Sequence, residues 1–116
     1  MTKTSPTQRT LSLCKRHGWT CQVVERWNSF ARVRQDLFGF IDLVAMDGKT
    51  IIGIQATSGS NVSARLRKIA ENPKSAEWLQ SGARLFVHGW RKIAKTRRWE
   101  CREIEVTAEL LRECGA

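Results

Sequence analysis

The sequence predicts a mixed α/β (α+β) domain, a central mixed β-sheet built on a β-hairpin and flanked by helices in the order α-β-β-β-α-β-β. Three observations carry that prediction. Ser5-Pro6 and Asn72-Pro73 each place a capping side chain directly before a proline, which is how helices start. Phe40–Met46 and Ala83–Trp90 are short, nearly continuous apolar runs, as expected of strands covered on both faces. Asp47-Gly48, between Phe40–Met46 and Thr50–Ala56, is a strong hairpin turn signal. With 116 residues the chain fits one domain, 1–116, large enough to bury a core without disulfides or structural metal.

The elements follow in order. The first helix is expected from Pro6 to His17, closed by Gly18 in a left-handed cap. Trp19–Trp27, with Val23 and Val24 at its middle, reads as a strand, and Asn28–Asp36 as a loop. After the hairpin, Ser58–Asn61 forms a turn, and Val62, Leu66, Ile69 and Ala70 recur at helical spacing. A short helix runs from Asn72-Pro73 to Gly82. Ala83–Trp90 is a core strand and Trp99–Thr107 an outer one. Its apolar positions change parity between Cys101 and Ile104, which calls for a bulge near Arg102 or an edge position. Ala108–Cys114 makes a final helical turn or two.

Composition narrows the function. No stretch approaches the apolar length of a membrane span, and Met1–Gln8 is polar where a signal peptide needs an apolar run, so a cytoplasmic protein without membrane contact is expected. Cys14, Cys21, Cys101 and Cys114 lack zinc-site spacing and are assigned no function, with Cys14 and Cys101 read as small buried hydrophobes. The net charge of +9 is unevenly placed. Residues 1–35 carry 7 basic and 1 acidic group, 36–60 carry 1 and 3, 61–99 carry 10 and 2, and 100–116 carry 2 and 5. Two basic blocks around an acidic centre suit a polyphosphate partner, because phosphate contacts release counterions. The expected nucleic-acid-binding residues are Arg32, Arg34, Arg65, Arg67, Lys68, Lys92, Lys95, Arg97 and Arg98. Trp99, beside Arg97 and Arg98, offers a ring to an unpaired base, while Trp19, Trp90, His17 and His88 read as structural.

Asp42 demands explanation, since an ionised carboxylate among Phe40, Ile41, Leu43, Val44 and Ala45 costs several kcal/mol if unpaired. If Asp47-Gly48 is the hairpin tip, Met46 pairs with Lys49. Asp42 then lies opposite Gly53, with Gln55 diagonal to it and Thr57 further along the same face, and a four-residue tip, unlike a three-residue one, is expected to give the same pairing. Gly53 would open a pocket there. Asp42, Gln55 and the Ala56 carbonyl would form an oxygen-rich half-shell for Mg²⁺ or Mn²⁺. The alternative is an Asp42 satisfied by Arg32, Arg34 or backbone amides.

The segments Arg16-His17-Gly18-Trp19, Ile41-Asp42-Leu43-Val44-Ala45, Asp47-Gly48-Lys49 and Ile54-Gln55-Ala56-Thr57 resemble archaeal-type Holliday-junction resolvases and their phage relatives in the PD-(D/E)XK nuclease superfamily. The resemblance covers roughly residues 5–90 and includes the 13-residue step from Asp42 to Gln55. It implies a restriction-endonuclease-like fold and a Mg²⁺- or Mn²⁺-dependent endonuclease of branched or duplex DNA, working as a homodimer. Asp42, Gln55 and Thr57 would stand at the catalytic positions. Gln55 replaces the usual Glu and Thr57 the usual Lys, so Glu25 or Asp36, and Arg65 or Lys68, would have to compensate. The rival expectations are a nuclease fold that binds DNA without cutting it and an accessory subunit of a nuclease assembly.

Overall fold

The computed structural model describes residues 4–115; Met1–Lys3, the start of the polar N-terminal stretch, and Ala116 lie outside the described residues. Ser5 caps α1 (Pro6–Arg16), its hydroxyl accepting from the Gln8 amide at 3.2 Å. His17 is the C-cap, and Gly18 at φ +78° turns the chain into β1 (Thr20–Val23). The expected strand Trp19–Trp27 is therefore split. Its second half is β2 (Arg26–Asn28), which pairs with β3 (Val33–Gln35) in a separate two-stranded hairpin inside the expected loop. Three-residue strands made of Arg, Asn, Gln, Trp and Val lack the run of alternation that marks a strand in sequence.

β4 (Leu43–Met46) starts three residues later than expected, because Leu37 and Ile41 first close a tight turn with backbone bonds of 2.8 and 3.0 Å. β5 (Ile51–Ser58) returns from the hairpin. A 3₁₀ turn (Gly59–Asn61), α2 (Val62–Glu71) and α3 (Pro73–Gln80) lead to β6 (Arg84–Lys92), β7 (Trp99–Glu105) and α4 (Ala108–Gly115). The main sheet has the order β1-β4-β5-β6-β7; β5 and β6 are parallel and the other neighbours antiparallel. The mixed sheet flanked by helices agrees with the expected fold class, but the order α-β-β-β-α-β-β does not hold, since the β2–β3 hairpin, α3 and α4 are added to it.

Alternation along the strands builds two cores. Leu43, Ala45, Ile52, Ile54, Ala56 and Phe86 pack with Cys14 under α1. Ile41, Leu85 and Val87 pack with Val62 and Ile69 of α2 and with Val106 on the other face. Gly89 lies on this second face because a Cβ there would collide with the Val62 side chain. β7 is an edge strand in unbroken register from Lys92–Trp99 to Phe86–Glu105, so the parity change needs no bulge. Cys101 pairs with Trp90 on the α1 face, whereas Ile104 packs in the α2 core. Each half of the strand is covered from a different side.

One polar chain pins α1 to the sheet. Trp90 Nε1 donates to Thr10 Oγ1 at 2.9 Å, Thr10 Oγ1 lies 3.2 Å from His88 Nδ1, and His88 Nε2 lies 3.0 Å from Glu103 Oε2. A neutral His88 carrying its proton on Nε2 satisfies every member. Burial holds its pKa below the ordinary histidine value, with Glu103 pulling the other way. His88 is thus structural, as expected. The four cysteines are free, and the Cys14 thiol is raised by its hydrogen bond to Cys21 and by burial, which keeps it protonated and inert.

Candidate metal centre and nucleic-acid cleft

Two local devices bring three carboxylates together. The Leu37–Ile41 bridge, with Phe38 at φ +55° and Gly39 at φ +89° in its turn, sets the flanking Asp36 and Asp42 against each other. The amides of Val24 and Glu25 both donate to the Asp42 carbonyl, at 2.8 and 3.2 Å, which places Glu25 alongside. Asn72 braces the turn by donating from Nδ2 to the Phe38 carbonyl at 3.0 Å. Carboxylate oxygens of Glu25, Asp36 and Asp42 lie within 4.8 Å of one another. Both acids named as alternatives are present at once.

Asp42 is buried, and its Oδ2 accepts from Gln55 Nε2 at 2.7 Å and from the Ala56 amide at 2.9 Å. Neither Arg32 nor Arg34 satisfies it. Arg34 instead meets Glu25, Nη1 to Oε1 at 3.1 Å, from an exposed position. Burial, the hydrogen bond with Asp36 and the charges of Asp36 and Glu25 together push the Asp42 carboxyl up to about 8, although the Ala56 amide favours its ionised form. Three acids sharing one place with few donors keep a proton unless a cation replaces it. This donor set of hard oxygens suits Mg²⁺ or Mn²⁺.

The hairpin register differs from expectation. Asp47 Oδ1 accepts from the amides of Lys49 and Thr50, at 2.9 and 2.7 Å, closing a four-residue turn in which Met46 pairs with Ile51. Val44, not Asp42, therefore faces Gly53. No pocket opens at Gly53, since a Cβ there would meet Trp78 at 2.9 Å and Ile41 at 3.0 Å. The ladder ends at Leu43–Ile54, so continuing it one step puts Gln55 directly across from Asp42. The shift is by two residues, and the shared face survives it.

Gln55 turns its amide nitrogen to Asp42; with the amide reversed, Oε1 would face a cation held there. The N–H and C=O of one strand residue point to the same edge, so the Ala56 carbonyl opens toward the site as well. Thr57 is buried, opposite Gly89, and contributes no charge.

Beside the carboxylates lies an open cleft of about 810 Å³, lined by Arg26, Arg34, Asp36, Phe38, Lys68 and Lys74 among others. Lys68 thus reaches the site from α2, while Arg65 is half-buried and absent from the cleft wall. Arg67 is exposed elsewhere on α2, and Arg32 sits exposed at the hairpin tip. Lys92, Lys95, Arg97 and Arg98 are exposed on and around the β6–β7 turn. Trp99 is already occupied, with Arg9 lying 3.6 Å over its ring. Sequence reasoning missed Arg26 and Lys74; each is a lone cation whose place in the cleft depends on a turn between distant elements.

No family model matches the chain, and no curated protein is significantly similar to it in sequence. Among the described residues no helix is long and apolar enough to cross a membrane.

Proposed function

We propose that the protein is a divalent-metal-dependent DNA endonuclease, with Mg²⁺ or Mn²⁺ held by Asp42, Asp36 and Glu25 and assisted by Gln55 and the Ala56 carbonyl. The observation that carries this reading is the convergence of three carboxylates, one of which, Asp36, lines a cationic cleft. A bound divalent ion supplies a water of lowered pKa and charge neutralisation at a phosphodiester. The chain's own part is to hold the acids in place, guide the phosphate backbone with Arg26, Lys68 and Lys74, and present Arg34 beside Glu25. A guanidinium in that position can leave the carboxylate for a phosphate once a metal takes its place. DNA, branched or duplex, is the substrate, and a homodimer would cut paired strands.

Incubating junction, flap, duplex and single-stranded DNA with the protein in Mg²⁺, Mn²⁺ or EDTA tests the reading. Cleavage that needs the metal and disappears in Asp42→Asn is expected. Thr57 in place of a cation favours a second reading, a nuclease-like domain that binds DNA without cutting it, alone or as a subunit of a larger assembly. Salt-sensitive DNA binding with no cleavage under any metal would select it.

A further inference from the structure

The β2–β3 hairpin carries three of the exposed large apolar side chains of the described residues, and the proposed chemistry uses its Arg26 and Arg34 but none of these. Phe30 at its tip is 101% exposed, Trp27 is 60% exposed and Val33 is also exposed. Trp27 and Val33 lie on opposite faces of the hairpin, so the Phe30 ring at the tip stands uncovered by an apolar neighbour. The tip is a built turn. Asn28 Oδ1 accepts from the amides of Phe30 and Ala31, both at 3.0 Å, so the backbone under the bare ring is fixed. Arg32 completes the turn in the left-handed region at φ +54°.

The charges around these rings decide what they meet. Arg26, Arg32 and Arg34 stand on the same small hairpin, and Arg26 and Arg34 continue into the cleft wall. A second copy of the chain would bring these arginines against their own like. An anionic partner with flat apolar faces fits both features at once, and a nucleic acid with unpaired bases is that partner: phosphates meet the arginines and a base stacks on the ring. A closed duplex offers the phosphates but no free base face.

We propose that the β2–β3 hairpin is a stacking probe for unpaired bases, with Phe30 reading an interruption in the duplex while Arg26 and Arg34 lead the adjoining strand into the cleft. This rests on the nucleic-acid reading above and adds the feature of DNA that is selected. Glu25 and Asp36 lie at the two ends of the hairpin, directly before β2 and after β3, and Arg34 of β3 holds Glu25. The probe and the candidate metal site are thus one continuous piece of chain.

The test measures binding in EDTA, where no strand is cut, to a plain duplex and to the same duplex interrupted by a few unpaired bases. Phe30→Ala should weaken binding to the interrupted duplex about tenfold, or about 1.4 kcal/mol, and change plain-duplex binding less than about twofold. Phe30→Trp should restore the preference. Because the ring touches nothing, the variants should melt with the wild type, and unchanged melting guards against a folding artefact. An equal loss on both substrates, or none on either, would overturn the proposal while leaving the nucleic-acid reading standing. A halved molecular mass in solution for Phe30→Ala would also overturn it, by making the hairpin a dimer arm. Failure of the wild type to bind either DNA at low salt would instead sink the underlying reading.

Discussion

Two buried polar groups lie on opposite faces of the same sheet, and they are built on opposite principles. Thr10, His88, Trp90 and Glu103 form a chain in which donors and acceptors match one for one. Glu25, Asp36 and Asp42 form a cluster of acceptors served by two donors to Asp42 and one exposed guanidinium on Glu25. The first arrangement is complete without any further partner and holds a helix to a sheet. The second has one guanidinium for three carboxylates, an arrangement that could hold a metal ion. Hydrogen bonds close in both groups, and what distinguishes the second is its unbalanced charge.

The largest effect that separates the two should come from Asp42→Asn. DNA cleavage should fall more than about a hundredfold, beyond the loss typical of a partner that only orients a metal ligand, with the fold retained. Thr10→Val makes the reverse cut: it strands the Trp90 N–H and the His88 ring, each costing about 1–3 kcal/mol. Its melting temperature should drop by about 10 °C, with cleavage per folded molecule unchanged. If Thr10→Val abolished cleavage at a temperature where it is folded, the division of labour would be wrong.

The two regions should also differ in pH dependence. The Asp42 carboxyl titrates near 8 in the folded, metal-free chain and near 3.9 unfolded, so the folded state holds an extra proton between those values. Its contribution to stability is complete on the acid side and is lost as pH rises through about 8. His88 has a lowered pKa, so the unfolded chain takes up the extra proton, and its contribution is present above about 6.5 and lost as pH falls below it. Melting curves in EDTA should therefore lose stability as pH rises from about 4 to about 8, a loss that Asp42→Asn or saturating Mg²⁺ removes, and with it removed the His88 loss below about 6.5 should stand alone. Loss of both declines in Asp42→Asn would mean the two groups are not independent.

Smaller effects sharpen the picture of the cleft. Charge reversal at Arg97 and Arg98 should weaken binding to all DNA sequences alike and flatten the salt dependence, since these exposed cations can touch only phosphate. Gln55→Glu should tighten Mn²⁺ about three- to tenfold by adding a charged oxygen. Unaltered affinity would mean that Gln55 does not face the ion.

Much of this was legible in the sequence, for physical reasons that also explain what was not. Asp42 stood out because a charge inside an apolar strand has a cost, and the Ser5-Pro6 cap and the two core strands follow from local chemistry. The shared face of Asp42, Gln55 and Thr57 survived a register error of two, because side-chain alternation has a period of two. The error arose because Asp47 closes a four-residue turn with its own side chain, and such a tip moves the pairing by two residues where it was expected to leave it unchanged. The simultaneous arrival of Glu25 and Asp36 was hidden, since it depends on a hairpin of three-residue strands and on the Leu37–Ile41 bridge.

Calorimetric titration of Mn²⁺ into the metal-free protein tests directly whether the three carboxylates form a divalent cation site. One saturable site is expected, whose binding releases a proton below about pH 8, with at least tenfold weaker binding in Asp42→Asn. No saturable binding at pH 8, or equal affinity in the two proteins, would contradict it.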